Sequence, residues 1–368
     1  MSLFRDLSHV PALIRREWEY RHPVLRGCCL EPTYRCNLRC KTCGCHSLVK
    51  PGDRDRELTR EEMLKITDEL GRMGASWLQL IGGEPFLRPE EMLAVTARAN
   101  ALGIETTIVT NGALIQEDLA REILNVRTPK LAFSVDGVGE AHDRVRGVAG
   151  AFERTQRGLA LVVEERRRRG VKAPVIEIFS TLSRLNYDQV GPLLRFKAES
   201  GADAIVFNYL SEISPKRLDA TRLNGEPLCT QRWAPSEESL LFSPKEIAAF
   251  RAALAQLPAS KHQRILAALD DEAYLKCRYP TRRCYFMRNA MIINPFGDAY
   301  PCPHIDRYVK GNVREAGVKA VWRNERQRKV IAGLGKTMYP VCSSCCLFNQ
   351  NITPLQAVRL ALGMKLTA

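Results

Sequence analysis

Glu31-Pro-Thr-Tyr-Arg-Cys36-Asn-Leu-Arg-Cys40-Lys-Thr-Cys43 leaves the first apolar run of the chain and crowds three thiols into eight residues. A cubane iron–sulfur cluster has four irons, each wanting a thiolate, and a loop this short can wrap three of them. The fourth iron is then an open coordination site, available to a small molecule. Structural zinc is the competing use of such a triplet, although zinc sites more often show paired Cys-x2-Cys units.

Outward from this loop the chain alternates. Apolar runs at 28–33, 77–81, 105–109, 130–135, 175–182 and 204–210 have the length and composition of buried parallel strands. Amphipathic segments near 60–73, 88–102, 116–125, 150–169 and 187–200 separate them. Thr59 with Glu62 reads as a capping box, and Gly103, Gly170 and Gly201 stand where helices should stop. Alternation of this kind predicts an α/β fold with a parallel sheet and right-handed crossovers, doubly wound or curved into a barrel. Chemistry in such folds gathers at the C-terminal ends of the strands. An irregular stretch at 211–242 and helices near 243–256 and 262–277 come next. Then 290–294 and 299–302 read as a hairpin turning at 295–298, followed by a helix near 318–333 and a cysteine-rich turn at 342–346.

The predicted strand ends carry the polar residues. The second closes on Ile81-Gly82-Gly83-Glu84-Pro85, where glycines admit a close ligand and a carboxylate can accept from an ammonium group. The third closes on Thr110-Asn111-Gly112, and the fourth on Ser134-Val135-Asp136-Gly137 with His142-Asp-Arg-Val-Arg146-Gly147 behind it. Ser180 and Thr181 end the fifth, Asn208 and Tyr209 the sixth, and are expected to line the site. In this order the motifs resemble the radical S-adenosylmethionine (SAM) superfamily, whose signature is Cys-x3-Cys-x2-Cys after the first strand of a partial (β/α)6 barrel. The resemblance implies that Cys36, Cys40 and Cys43 hold a [4Fe–4S] cluster whose open iron is chelated by SAM. It further implies SAM contacts from Gly82, Gly83, Glu84, Pro85, Asn111, Ser134, Asp136, Arg146 and Ser180. One position departs from the family pattern: Thr42 stands where an aromatic residue often packs near the adenine.

The second group of thiols, Cys284, Cys302, Cys342, Cys345 and Cys346, can supply the four thiolates of a fully ligated cluster. It resembles the C-terminal SPASM domains, in the shorter Twitch form because no cysteine follows Cys346. Gly311-Asn-Val-Arg-Glu and Val321-Trp322 resemble the segment between the cysteine pairs. The implied ligands are Cys284, Cys302, Cys342 and Cys345, with Cys346 as the alternative last ligand and a four-cysteine zinc site as the alternative use. Cys28 and Cys29 read as core residues, and Cys45, Cys229 and Cys277 as inert thiols. The expected organisation is an N-terminal helical extension (1–26), a core barrel (27–210), a helical linker region (211–277), a small α+β auxiliary-cluster domain (278–350) and a C-terminal helical tail (351–368).

The chain has 368 residues and a formal charge of +14, from 55 Lys and Arg against 41 Asp and Glu. Such a balance suits an anionic partner, but the densest run, Arg166 to Arg169, ends a predicted helix, where cations complement the dipole. No nucleic acid is expected. The opening lacks the pattern of a signal peptide, and no stretch reaches the roughly 20 apolar residues of a membrane span; thirteen cysteines are many for a cytoplasmic protein, where their clustering marks metal or redox sites. A cytoplasmic location is therefore expected. Amphipathic ends at 3–20 and 354–366 would pack on the protein, with peripheral membrane contact as the sharper alternative. The function implied is reductive cleavage of SAM to a 5′-deoxyadenosyl radical and hydrogen abstraction from a small molecule, such as a sugar-containing natural product or a lipid precursor. An auxiliary cluster would handle the second electron, and a flavodoxin or ferredoxin type of donor the first. Adenosyl addition to a double bond, peptide maturation and a non-catalytic zinc or nucleic-acid-binding role are the alternatives.

Overall fold

A computed structural model describes residues 10–230, 238–256, 266–334 and 338–366. Six parallel strands follow one another across the sheet in chain order: β1 (Gly27–Leu30), β2 (Trp77–Leu80), β3 (Glu105–Thr110), β4 (Lys130–Ser134), β5 (Val175–Leu182) and β6 (Ala204–Tyr209). Each is short and apolar, so both faces can be covered, as a parallel sheet requires. The connecting helices Arg60–Arg72, Pro89–Ala101, Glu117–Asn125, Ala151–Arg169 and Val190–Ser200 cover the outer face. Thr59 and Glu62 form the reciprocal capping box that opens the first of these. This is the α/β arrangement expected, a sheet consistent with a partial barrel.

The second half does not stand apart. A short hairpin, β7 (Arg222–Leu223) and β8 (Glu226–Pro227), is separate, but β9 (Ala290–Ile293) pairs in parallel with β1, Gly27 opposite Ala290 and Leu30 opposite Ile293. β10 (Asp298–Tyr300) and β11 (Gly311–Asn312) then extend the sheet antiparallel to nine strands. The strand that delivers the cysteine loop is thus flanked by β2 on one side and by the hairpin before Cys302 on the other. The helix expected over 318–333 is two, Val318–Arg323 and Glu325–Ala332. The side chain of Asn324 accepts from the Gln327 N–H and starts a new helix there.

Residues 1–9, 231–237, 257–265, 335–337 and 367–368 lie outside the described residues, and with them parts of the N-terminal extension, the 211–277 region, the helix expected near 262–277 and the tail. Among the described residues no helix is long and apolar enough to cross a membrane. The basic run is largely paired within the fold. Arg166 meets Asp203 at 2.5 Å, and Arg168 and Arg169 both meet Glu165. The C-terminal helix Pro354–Ala361 is anchored through Gln356, which donates to Pro280 O at 2.5 Å, and leaves Leu355 and Val358 exposed.

Candidate active site and second cysteine centre

The cysteine loop is gripped by backbone on two sides. Gly83 and Glu84 N–H donate to Thr33 and Arg35 carbonyls at 2.8 Å each, while Arg39 and Lys41 N–H donate to Arg146 and Val145 carbonyls at 3.1 and 2.8 Å. The approach requires glycine: a Cβ at Gly83 would stand 2.1 Å from Arg35 O, and one at Gly147 2.2 Å from Arg39 O. Glu57, which sequence reasoning missed, is buried beneath the loop. It accepts from Thr33 Oγ1 at 2.5 Å and Arg35 Nη2 at 3.1 Å, with Arg88 at 3.6 Å. Arg88 also donates to the Pro32 and Leu58 carbonyls. Nothing in the local sequence marks this pair, because a Glu before a helix and an Arg after a turn are ordinary surface residues until the fold buries them.

Every thiol of the triplet accepts an N–H. Leu38 N–H meets Cys36 Sγ at 3.4 Å, Arg146 Nη1 meets Cys40 Sγ at 3.6 Å, and Cys45 N–H meets Cys43 Sγ at 3.4 Å. Donors of this kind stabilise thiolate charge and tune an iron–sulfur cluster. Burial pushes the Cys36 thiol up to about 11, against the Leu38 N–H, and raises Cys40 as well. Iron must therefore displace protons to bind.

Glu84 is 1% exposed, and burial raises its pKa against three donors: Phe86 N–H at 3.0 Å, Thr110 Oγ1 at 2.7 Å and Asn111 N–H at 2.8 Å. A carboxylate offers about four acceptor positions, so one remains for a cationic ligand group. Asp136, also buried, accepts from Thr181 N–H at 2.8 Å and pairs with Arg146 at 2.9 Å. Burial works against the Arg146 charge, but Asp136 and Cys40 outweigh it and hold its pKa up. Arg146 Nε is buried without a partner, a donor left over for a ligand. His142 sets this pair, since its Nδ1 accepts from Asp136 N–H at 3.2 Å. Burial drives its pKa down to about 3, so the ring is neutral.

These groups converge on one cavity of about 1330 Å³, walled by Cys36, Cys40, Cys43, Gly82, Gly83, Glu84, Asn111, Ser134, Asp136 and Arg146. Thr42 and Asn208 line it too; nothing is described of the Tyr209 side chain. Two expected residues are not on the wall. Strand alternation turns Ser180 to the outer face with Ile178 and Leu182 and gives the cavity Phe179 and Thr181 instead. Pro85 is buried at the start of the turn Pro85–Leu87, where it shapes the backbone. Cys45 lines the cavity, its thiol donating to Gly82 O at 3.6 Å, and Cys277 donates to Leu210 O at 3.1 Å.

The second thiol group surrounds a pocket of about 20 Å³ lined by Cys284, Cys302, Cys342, Cys345 and Cys346. Charges within the group bear on its members. Burial raises Cys302, and the charges of Cys342, Cys284 and Cys345 raise it further; Cys342 is raised by burial, then by Cys284 and Cys345. Cys284 Sγ accepts from Met287 N–H at 3.4 Å, and Cys345 Sγ from Asn351 Nδ2 at 3.4 Å. Cys346 is different. It also lines the large cavity, and burial, then Cys345, push its thiol up to about 12, with Ser211 opposing. Spacing alone leaves Cys345 and Cys346 equivalent; both line the small pocket, and it is the charge of Cys345 that bears on Cys284, Cys302 and Cys342. Changing Cys345 to Ser should release about four of eight irons, whereas Cys346→Ser should retain all eight, as iron analysis of the two reconstituted variants would show.

Lys310 supports an anionic occupant here. It is 1% exposed, its Nζ has no hydrogen-bond partner and lies 5.2 Å from the Trp322 ring, and Cys28 and Cys302 bear on its charge. A buried ammonium without a partner is costly, and a cluster bearing four thiolates would offset it. Among the described residues no three His, Cys, Asp or Glu side chains close to single-ion distance; a cubane, with one iron per thiolate, does not require that.

Comparison with known proteins finds a family model over each of the two cysteine groups. A model of the radical SAM superfamily matches residues 30–183, and one of an iron–sulfur cluster-binding domain, SPASM, matches 284–346. Among curated proteins, pre-heme d1 synthase of Dinoroseobacter shibae is 32% identical over 48% of this chain, a match spanning less than half, 42%, of that protein. AdoMet-dependent heme synthase of Methanosarcina barkeri is 26% identical over 80% of this chain and 81% of its own, and mycofactocin maturase of Mycobacterium ulcerans 28% over 97% and 89%. Streptococcus suis SuiB, solved with S-adenosylmethionine and with precursor peptide SuiA, shares the fold. The SAM-bound structure has a TM-score of 0.60 at 15% identity and covers 94% of this chain and 79% of SuiB.

Proposed function

We propose, from the premise that the chain is a radical SAM enzyme with a SPASM iron–sulfur domain, that it abstracts a hydrogen atom from a small organic substrate and passes the resulting surplus electron to its second cluster. One observation carries the reading: the cavity walled by Cys36, Cys40 and Cys43 also reaches Cys302 and Cys346. A substrate held there lies between both cysteine sets. When bound, the cluster and SAM together supply a 5′-deoxyadenosyl radical.

The chain's own groups have definable tasks in this reading. Cys36, Cys40 and Cys43 would hold the first [4Fe–4S] cluster, and Cys284, Cys302, Cys342 and Cys345 the second. The free acceptor position of Glu84 suits an ammonium group, and the spare Nε–H of Arg146 suits a carboxylate. Asp136 and His142 keep Arg146 in place, while Gly82 and Gly83 line the cavity and let the cysteine loop lie close behind them. A second reading, a peptide substrate, draws on the likeness to SuiB solved with a precursor peptide. A reducing compartment such as the cytoplasm suits both.

Anaerobic reconstitution tests the proposal. About eight irons per chain and 5′-deoxyadenosine formed only with reductant are expected. Adenosine covalently joined to the substrate, with no free 5′-deoxyadenosine, would replace abstraction by addition.

A further inference from the structure

A second large cavity, of about 1080 Å³, opens on the other side of the SPASM segment. Its wall carries Arg72, Arg288, Lys319, Arg323 and Arg328, against one carboxylate, Glu69. Glu69 is already engaged, accepting from Val318 N–H at 2.7 Å. Among the described residues none of the five cations forms an ion pair, whereas Arg15, Arg56 and Arg146, which line the larger cavity, all do. Four of them, Arg72, Lys319, Arg323 and Arg328, are exposed. Like charges gathered without counter-charges repel one another, and a groove that keeps them focuses a positive potential outward.

The floor of this groove leads to the second cysteine centre. Gln327 Nε2 donates to Met287 O at 3.2 Å, and the N–H of Met287 donates to Cys284 Sγ. Trp322, on the same wall, faces the buried Lys310 amine, on which the charge of Cys302 bears. Arg288 sits beside Met287 in the chain, and its charge reaches Cys284. The basic groove and the thiol group are therefore two sides of one thin wall. Among the described residues the lining of this groove includes none of Cys36, Cys40 or Cys43.

We propose that this groove is the docking surface for an acidic one-electron carrier protein of the flavodoxin or ferredoxin type, which exchanges electrons with the auxiliary cluster. The inference rests on the two-cluster reading above. In each exchange one electron passes and no atom is transferred: the carrier is reduced by one electron as the auxiliary cluster is oxidised by one. That cluster is thereby returned to the state able to take the next substrate electron. Charge complementarity sets the on-rate and makes the contact salt-sensitive.

Binding of a purified acidic flavodoxin to the reconstituted enzyme at low salt tests the surface, with Arg323→Glu/Arg328→Glu as the variant and Arg167→Glu, an exposed arginine on a distant helix, as the control. The double variant should raise Kd at least tenfold and slow flavodoxin-linked turnover, while its melting temperature and its dithionite-driven SAM cleavage stay at the wild-type level. An unaltered Kd in the double variant, or an equal loss in the control, overturns the proposal. Iron analysis of the same sample keeps the two readings apart: about four irons would fault the two-cluster reading, whereas eight irons with an unaltered Kd would fault the docking surface alone.

Discussion

With Cys284 and Cys302 both changed to alanine, the reconstituted protein should hold about four irons instead of about eight and still cleave SAM. Substrate product should nevertheless fall by more than about 100-fold, beyond the 10–100-fold that loss of an outer-shell partner costs at a metal site. The split follows from the architecture. Cys36, Cys40 and Cys43 are held by β1, β2 and the loop after β4; β1 also pairs with β9, but neither Cys284 nor Cys302 lies on that ladder. Cys302 instead closes the far end of the cavity. A substrate radical formed without an acceptor there should recover a hydrogen or decay, so 5′-deoxyadenosine would accumulate uncoupled from product. Quantifying both products by mass spectrometry checks this. Normal coupling in the double variant would remove the auxiliary site from the mechanism. Simple unfolding would instead lower SAM cleavage in parallel with product.

Much of this was legible in the chain because the signals are local. Each of the six parallel strands is a short apolar run, and each lies within two or three residues of its predicted span. β1 stops at Leu30, before Pro32, which has no N–H for a ladder. What the sequence left hidden is of two kinds. The first is long-range pairing. β9 lies some 260 residues from β1, and nothing in Ala290–Ile293 names its partner, so the second unit looked separate although its hairpin continues the barrel sheet. The second is side-chain direction. Ser180 and Thr181 are equally plausible at a strand end, and a period of two sends them to opposite faces. The ion pair of Glu57 with Arg35 and its neighbour Arg88 belongs to both kinds, since its burial exists only once β1 and β2 lie side by side.

Gly83→Ala should empty the first site without changing any of its three cysteines. The added Cβ would stand 2.1 Å from Arg35 O and 2.6 Å from Tyr34 O, and both obstacles are backbone atoms of the loop that leads into Cys36. They cannot swing aside like the end of a side chain. Either the loop moves, which breaks the Glu84 N–H to Arg35 O bond and shifts Glu84, or β2 moves and disturbs the pairing Leu30 to Leu80. Overpacking of this kind costs on the order of 3 kcal/mol. The burden falls on the loop because the outer core lies on the other face of the sheet. The expected result is loss of the triplet's share, about four irons, together with all SAM cleavage, while the four irons of the second site remain. Gly103→Ala is the matched control. Gly103 has φ +71° but open space around its Cβ position, so alanine there meets only the roughly 1–2 kcal/mol of left-handed backbone strain. It should keep all eight irons and full SAM cleavage. If the two variants lose iron alike, the close approach of β2 to the cysteine loop is not what holds the first site together.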